Sequence, residues 1–124
     1  MAYLLLVDND TAFRDALAYV LTVRGYHVAT AGDGMAALAR LSQPEAPDLI
    51  LLDLVMPRMD GAQFRSVQRQ HPRWATIPVV VFADAHLLGL APPLEAAAAL
   101  PKDTPLRTLL DAIEQHQRER PLRS

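Results

Sequence analysis

Leu49, Ile50, Leu51 and Leu52 stand in an unbroken apolar row that ends in a carboxylate, Asp53, after which Pro57 and Gly61 turn the chain. The run is too short for a helix and lacks polar alternation, so it reads as a strand buried on both faces. Strands of that kind belong to parallel sheets covered by helices on both sides. The rest of the chain must then supply more such strands, with helices between them.

It does. Tyr3 to Val7 is a first apolar run, and Asp8-Asn9-Asp10-Thr11 follows as a capping cluster. Phe13, Leu17, Val20 and Leu21 repeat at helical spacing, and Arg24-Gly25 closes that helix. Tyr26 to Thr30 predicts a second strand. Gly32-Asp33-Gly34 opens a helix carrying Met35, Leu38 and Leu41, which Pro44 and Pro47 break. Asp60-Gly61 starts a third helix with Phe64 and Val67 on one face, and Ile77 to Phe82 is a fourth strand. The pattern then loosens. His86 to Pro93 reads as a loop, Leu94 to Ala98 as one or two helical turns, and Ala99-Leu100 as a very short fifth strand. Thr104 and Pro105 open a last helix carrying Leu106, Leu109, Leu110 and Ile113. Gln117 to Ser124 reads as a frayed polar tail. Residues 1–118 form one domain and 119–124 lie beyond it.

Five strands alternating with helices imply an α/β doubly wound parallel sheet, a three-layer sandwich with a short or irregular fourth helix. The common small arrangement is the flavodoxin-like strand order 2-1-3-4-5, with its switch point between strands 1 and 3. Asp8 and Asp53 then end neighbouring strands, about one strand spacing (~5 Å) apart.

Composition narrows the field. At 124 residues there is room for one domain, and a net charge of −2 gives no reason to expect bulk binding of nucleic acid or membrane. There is no cysteine, hence no disulfide and no thiol nucleophile. The N-terminus runs straight into a strand without a leader pattern, and no apolar stretch reaches the ~20 residues of a membrane span. A cytoplasmic location is expected. Eleven arginines accompany a single lysine, Lys102, so one position keeps a compact ammonium where guanidinium is otherwise the rule.

Two carboxylates at ~5 Å repel unless they share a proton or a cation intervenes. Mg²⁺ suits such a site, because it takes oxygen ligands and is held by one or two carboxylates plus phosphate oxygens. Asp53 can then act as a nucleophile toward phosphorus, giving an acyl phosphate, with Lys102 neutralising phosphoryl charge. The plainer alternative is that Asp8 to Asp10 only cap a helix and Asp53 only begins a loop.

At this point the chain resembles the receiver domain of two-component response regulators over roughly residues 3–118. The resemblance rests on Pro47 to Gly61 with its Asp53…Met56-Pro57…Gly61 spacing, on Leu4 to Asp8, Gly32-Asp33-Gly34, Ile77-Pro78-Val79 and Leu100-Pro101-Lys102. It implies a phosphoacceptor at Asp53, served by a histidine kinase or phosphotransfer protein. It implies Mg²⁺ held by Asp53, the Val55 backbone carbonyl and the acidic pair after strand 1, and it assigns Lys102 to the acceptor and phosphoryl group. It further implies a signalling role through an unidentified downstream protein rather than an enzyme.

Several positions depart from the family pattern. The acidic pair is Asp8-Asn9, with an amide where a carboxylate ligand is usual; Asp10 is an alternative ligand, and weak Mg²⁺ binding is expected. The hydroxyl residue that ends strand 4 is replaced by Ala83, and Asp84 follows. The strand-5 aromatic three residues before the lysine is Ala99, and Asp103 follows Lys102 where proline is usual. The acceptor chemistry therefore reads as kept and the customary readout as lost. Two further readings stand beside the phosphorylated single-domain receiver: a degenerate receiver that binds partners regardless of phosphorylation, and a phosphatase suggested by Asp8-Asn9-Asp10. That triplet is similar to the Asp-x-Asp motif of haloacid-dehalogenase-type enzymes, although Thr11 comes one residue early. No DNA-binding module follows, so direct transcriptional output is not expected. His27, His71, His86 and His116 read as solvated surface residues, and Trp74 as packing near the connection between helix 3 and strand 4.

Overall fold

The computed structural model describes residues 2–88 and 94–118. Five strands run in parallel in the order β2-β1-β3-β4-β5: β1 (Tyr3–Val7), β2 (His27–Ala31), β3 (Leu49–Leu52), β4 (Val79–Ala83) and β5 (Ala98–Pro101). The helices between them are α1 (Thr11–Val23), α2 (Gly34–Leu41), α3 (Gly61–Gln70), the four-residue α4 (Ala85–Leu88) and α5 (Leu106–His116). This is the doubly wound architecture expected, with its short fourth helix.

The alternation of a pleated strand sorts the core into two layers. Leu5, Val7, Ile50, Leu52, Val79 and Val81 point to one face, where Ala37 and Leu41 of α2 and Phe64 of α3 cover them. Leu4, Leu6, Leu49, Leu51, Val80 and Phe82 point to the other, under Leu21 of α1 and Leu109 and Ile113 of α5. Burial of both faces is why these strands are continuous apolar runs.

Local signals explain the helix ends. Asp10, Asp33 and Asp60 each accept a backbone N–H from the first turn of α1, α2 and α3, and Gln63 completes a capping box by accepting from the Asp60 N–H. Gly25, at φ 100°, lets the chain leave α1 in the left-handed region.

Five expectations need correcting. Met35 is half exposed, and Gly34, Ala37 and Leu41 form the inner face of α2 instead. Val67 is also exposed; the inner face of α3 holds Phe64, Arg65 and Gln68. Helical periodicity places a stripe only to within one residue, and here polar partners decide which side turns in. The helical turn lies at Ala85–Leu88, not at Leu94–Ala98, where Leu94 to Ala97 is irregular and leads into β5. Thr104 makes no cap, since Pro105 occupies the cap position of α5 without a side-chain bond. Strand bounds shift by up to two residues, with β2 ending at Ala31 and β4 at Ala83.

The start of the expected tail is docked. The Arg118 N–H donates to the Asp48 carbonyl at 2.9 Å, and its guanidinium donates to the Pro47 carbonyl at 2.8 Å. The remainder of the tail and the Gly89 to Pro93 part of the expected loop lie outside the described residues. His71 is not simply solvated: it stacks on Trp74 with ring centroids 3.7 Å apart, at the α3–β4 connection where Trp74 was expected.

Candidate functional site

Parallel register builds the site. Val7 pairs with Leu52, so the next residues, Asp8 and Asp53, leave β1 and β3 side by side. The Asp53 N–H still donates to the Val7 carbonyl at 2.9 Å, which fixes that neighbourhood. Ala83 pairs with Pro101, and the Lys102 N–H donates to the Ala83 carbonyl at 2.9 Å, so Lys102 starts beside the end of β4. From there its ammonium reaches back over the ends of the central strands. Nζ lies 2.7 Å from Asp8 Oδ2 and 3.6 Å from Asp53 Oδ2, and 4.9 Å above the Phe13 ring. The three residues singled out by their places in the sequence meet at the carboxyl edge of the sheet, where α/β folds hold ligands.

Both carboxylates are almost fully buried. The second oxygen of each is held by backbone: Asp8 Oδ1 accepts from the Asp10 N–H and Asp53 Oδ1 from the Leu54 N–H, each at 2.9 Å. Burial pushes the Asp53 carboxyl up, and the charge of Asp8 adds to it; Lys102 and the Leu54 N–H pull the other way, leaving Asp53 at about 6. Burial also pulls Lys102 down, but its hydrogen bond to Asp8 and the charges of Asp53, Asp8 and Asp84 together hold the ammonium above its usual value. Lys102 is therefore charged at neutral pH, set between two acids with one net negative charge left over once both ionise.

A divalent hard cation fits this donor set, since two carboxylates, a neighbouring amide and loop carbonyls are oxygen donors with surplus negative charge. Asp8 and Asp53 are the anionic donors. Asn9 is exposed just beyond β1, and Val55 sits exposed in the loop after Asp53. Asp10 serves mainly as a cap: its Oδ1 accepts the Phe13 N–H at 3.1 Å. Gly61 closes the floor. Its N–H donates to the Leu54 carbonyl at 2.9 Å, and a Cβ there would lie 2.5 Å from the Asp53 carbonyl oxygen. Only glycine lets α3 start so close to the end of β3.

Ala83 is wholly buried at the end of β4 and offers no hydroxyl to the site, and Ala99 lies exposed on β5. What sequence reasoning missed lies one layer away. Arg65 and Gln68 are buried beneath the chain that leads into β5, and Arg65 donates to the carbonyls of Leu94 and Glu95. Neither periodicity nor a motif signals that role, because the partners lie about thirty positions further along.

Residues 4–114 match the response regulator receiver domain family. The chain belongs to that family. The receiver is 43% identical over 95 residues to a protein-glutamate methylesterase/protein-glutamine glutaminase of Anaeromyxobacter dehalogenans, covering 74% of this chain and 25% of that protein. It is 38% identical over 81 residues to the DNA-binding regulator RpaA of Synechocystis, covering 65% of this chain and 33% of the relative. The receiver thus spans a quarter to a third of the length of these curated relatives. Among solved structures it is similar to Vibrio cholerae CheY4, at TM-score 0.80 and 28% identity, covering 94% of this chain and 98% of that one. It also shares its fold with Thermotoga maritima TrrA, solved in complex with Mg²⁺-BeF, at TM-score 0.81 and 22% identity, covering 93% and 98%. Receiver domains are generally non-enzymatic signalling modules of two-component systems, and the family match gives the phosphatase reading of Asp8-Asn9-Asp10 no support. No helix among the described residues is long and apolar enough to cross a membrane.

Proposed function

We propose that this receiver accepts a phosphoryl group on Asp53 from a histidine kinase or phosphotransfer protein, in the cytoplasm, and signals by protein–protein contact. The observation that carries the reading is the ammonium of Lys102 set between two buried carboxylates at 2.7 and 3.6 Å. Ionised Asp53 attacks phosphorus through Oδ2; the bond from phosphorus to the donor's nitrogen breaks as the new P–O bond forms. Lys102 then faces a phosphoryl oxygen in place of the free carboxylate. Asp8, Asn9, Asp53 and the Val55 carbonyl would hold Mg²⁺, which supplies neutralising charge for the transfer. An amide at Asn9 gives an oxygen without charge, so weak binding is expected.

The outer face of α1 supports a helical phosphodonor. Ala12, Ala16, Tyr19 and Val23 are all exposed, Tyr19 at 71% and Val23 at 67%. Their spacing of four, three and four residues is that of a helix–helix seam. With Leu17 and Leu21 turned toward the core, α1 is apolar on both sides, as helices with a partner are.

The test is labelling with a small acyl phosphate and Mg²⁺, read by intact mass. Wild type gains one phosphoryl group and Asp53→Asn gains none; a label that survives this substitution sinks the assignment. One observation favours a second reading, a module that binds partners regardless of phosphorylation. Ala83 has no side-chain donor for a phosphoryl group, and Leu94 and Glu95, at the approach to β5, are held through their carbonyls by Arg65. Equal partner affinity with and without phosphodonor supports that reading, and a large difference excludes it.

A further inference from the structure

Outside the acceptor site, the most unusual group is Arg65. It lies in the middle of α3 and is only 8% exposed, yet its hydrogen-bond partners among the described residues are all neutral. Nε donates to the Leu94 carbonyl at 3.0 Å, one terminal nitrogen to Gln68 Oε1 at 2.8 Å and the other to the Glu95 carbonyl at 2.9 Å. Gln68 is itself fixed, donating to the carbonyls of Trp74 and Ile77. A guanidinium carries more N–H groups than the three engaged here. Buried charges are normally met by an opposite charge, because neutral dipoles replace only part of the lost hydration. Burial and the nearby charge of Arg69 both push the Arg65 guanidinium below its usual range, with Glu95 opposing them.

Beside this cation the surface opens into a groove of about 390 Å³ lined by Ala62, Arg65, Ser66, Arg69, Gln70 and Leu94. That volume suits a small ligand. Its polar walls are two guanidiniums, a hydroxyl and an amide, and none is an acid. The acid at its rim is Glu95, which pairs with Arg69. Glu95 also holds a left-handed backbone, φ 53°, which is uncommon for a residue other than glycine or asparagine. It is thus kept by its contacts, its carbonyl on Arg65 and its carboxylate on Arg69.

We propose that this groove is an oxyanion site, in which Arg65 and Arg69 bind the phosphate or carboxylate group of a small molecule and Glu95 is the internal carboxylate that the ligand displaces from Arg69. A planar guanidinium pair matches either oxyanion by paired N–H···O bonds. Ligand binding frees Glu95 from Arg69 and so loosens the stretch that feeds β5, which couples the groove to the sheet edge carrying Lys102. The site does not depend on phosphorylation of Asp53.

The experiment is a titration of the full chain with inorganic phosphate and, separately, with succinate, in EDTA at constant ionic strength. Arginine side-chain and backbone amide signals are followed by NMR. Saturable shifts at Arg65 and Arg69 and in Leu94 to Ala96 are expected, and the tighter of the two anions identifies the ligand group. Glu95→Gln should tighten binding about two- to fivefold, the range set by losing an exposed ion-pair competitor. Arg69→Gln should weaken it about tenfold or more by removing a charge-assisted contact. Arg69 and Glu95 are both partly exposed, so these variants keep the fold that an Arg65 substitution puts at risk. The proposal fails if neither anion gives saturable shifts at the groove, if Glu95→Gln binds no tighter than wild type, or if the shifts gather only around Asp8, Asp53 and Lys102. A response to an acidic hexapeptide with none to either small anion would assign the groove to a protein partner and overturn the small-ligand reading.

Discussion

Asp53→Asn should make this receiver more stable at neutral pH, and the size of the gain follows from the surroundings of the Asp53 carboxylate. Burial, then the charge of Asp8, raises the Asp53 carboxyl from 3.8 to about 6 in the folded chain. The folded state therefore binds the proton more tightly than the unfolded state does. Stability from this group is complete below the unfolded value and is lost as pH rises through the folded one. At pH 7 the full difference applies, a little over two pH units or about 3 kcal/mol. The amide of asparagine is nearly isosteric and never ionises, so it escapes that cost, while Lys102 keeps Asp8 at 2.7 Å. Urea unfolding of the two proteins in EDTA, from pH 4 to pH 8, reads the effect. With a slope of about 1–3 kcal/mol per molar, the midpoint of the variant should sit about 1–3 M higher at pH 7. The gap should close toward pH 4, and Mg²⁺ should narrow it at pH 7 by stabilising the ionised acceptor. A variant less stable than wild type at pH 7, or a gap that does not change with pH, would refute the account of Asp53 as an acid strained by burial and by Asp8.

Three further substitutions probe other parts of the site. Gly61→Ala forces a Cβ to 2.5 Å from the Asp53 carbonyl oxygen, so it should cost about 1–3 kcal/mol in urea unfolding and slow acceptor labelling by shifting the strand end. Ala83→Thr introduces a hydroxyl at the end of β4; NMR shifts on phosphorylation, expected to stay near Asp53 in wild type, should then spread into β5, and an unchanged pattern would show that the missing hydroxyl is not what limits the response. Ala16→Arg places a charge in the exposed seam of α1, and should reduce phosphotransfer from a protein donor about tenfold or more while leaving labelling by a small acyl phosphate unchanged. Equal loss with both donors would place the effect at the acceptor rather than at docking.

The parts of this molecule that were legible in the sequence share one property: each is announced by its own neighbours. Asp8 and Asp53 close apolar runs whose length and purity mark them as inner strands, and parallel order then places both acids on one edge. Lys102 is legible because it is the only lysine and follows a short apolar segment. The illegible parts depend on partners remote in the chain. Val67 and Met35 fit the apolar stripe of their helices as well as the residues that do turn in. Arg65 faces inward because the carbonyls of Leu94 and Glu95 receive it, and no window around position 65 contains them. The stretch from Leu94 to Ala98 was misread for the same reason. Arg65 of α3 donates to the carbonyls of Leu94 and Glu95, and Ala98 already belongs to β5, so alanine-rich composition, which favours a helix by propensity, is overruled there.

The same contrast bears on how this receiver responds to phosphorylation. A phosphoryl group can shift an equilibrium only as far as its contacts differ between two states. On the proposed reading, a phosphoryl group on Asp53 would meet Lys102, whose backbone is already tied to the end of β4 and so need not move to receive it. Ala83 offers no hydroxyl contact that could differ between states, and Arg65 holds the Leu94 and Glu95 carbonyls at the approach to β5. Loss of one charge-assisted hydrogen bond removes about 1.5–3 kcal/mol of discrimination, comparable to the few kcal/mol that separate conformers in switching proteins. On that reading, phosphorylation of Asp53 would act mainly by changing charge at the carboxyl edge of the sheet, where the carboxylate faces Lys102. A partner docked at that edge would sense such a change directly, without any rearrangement of β5.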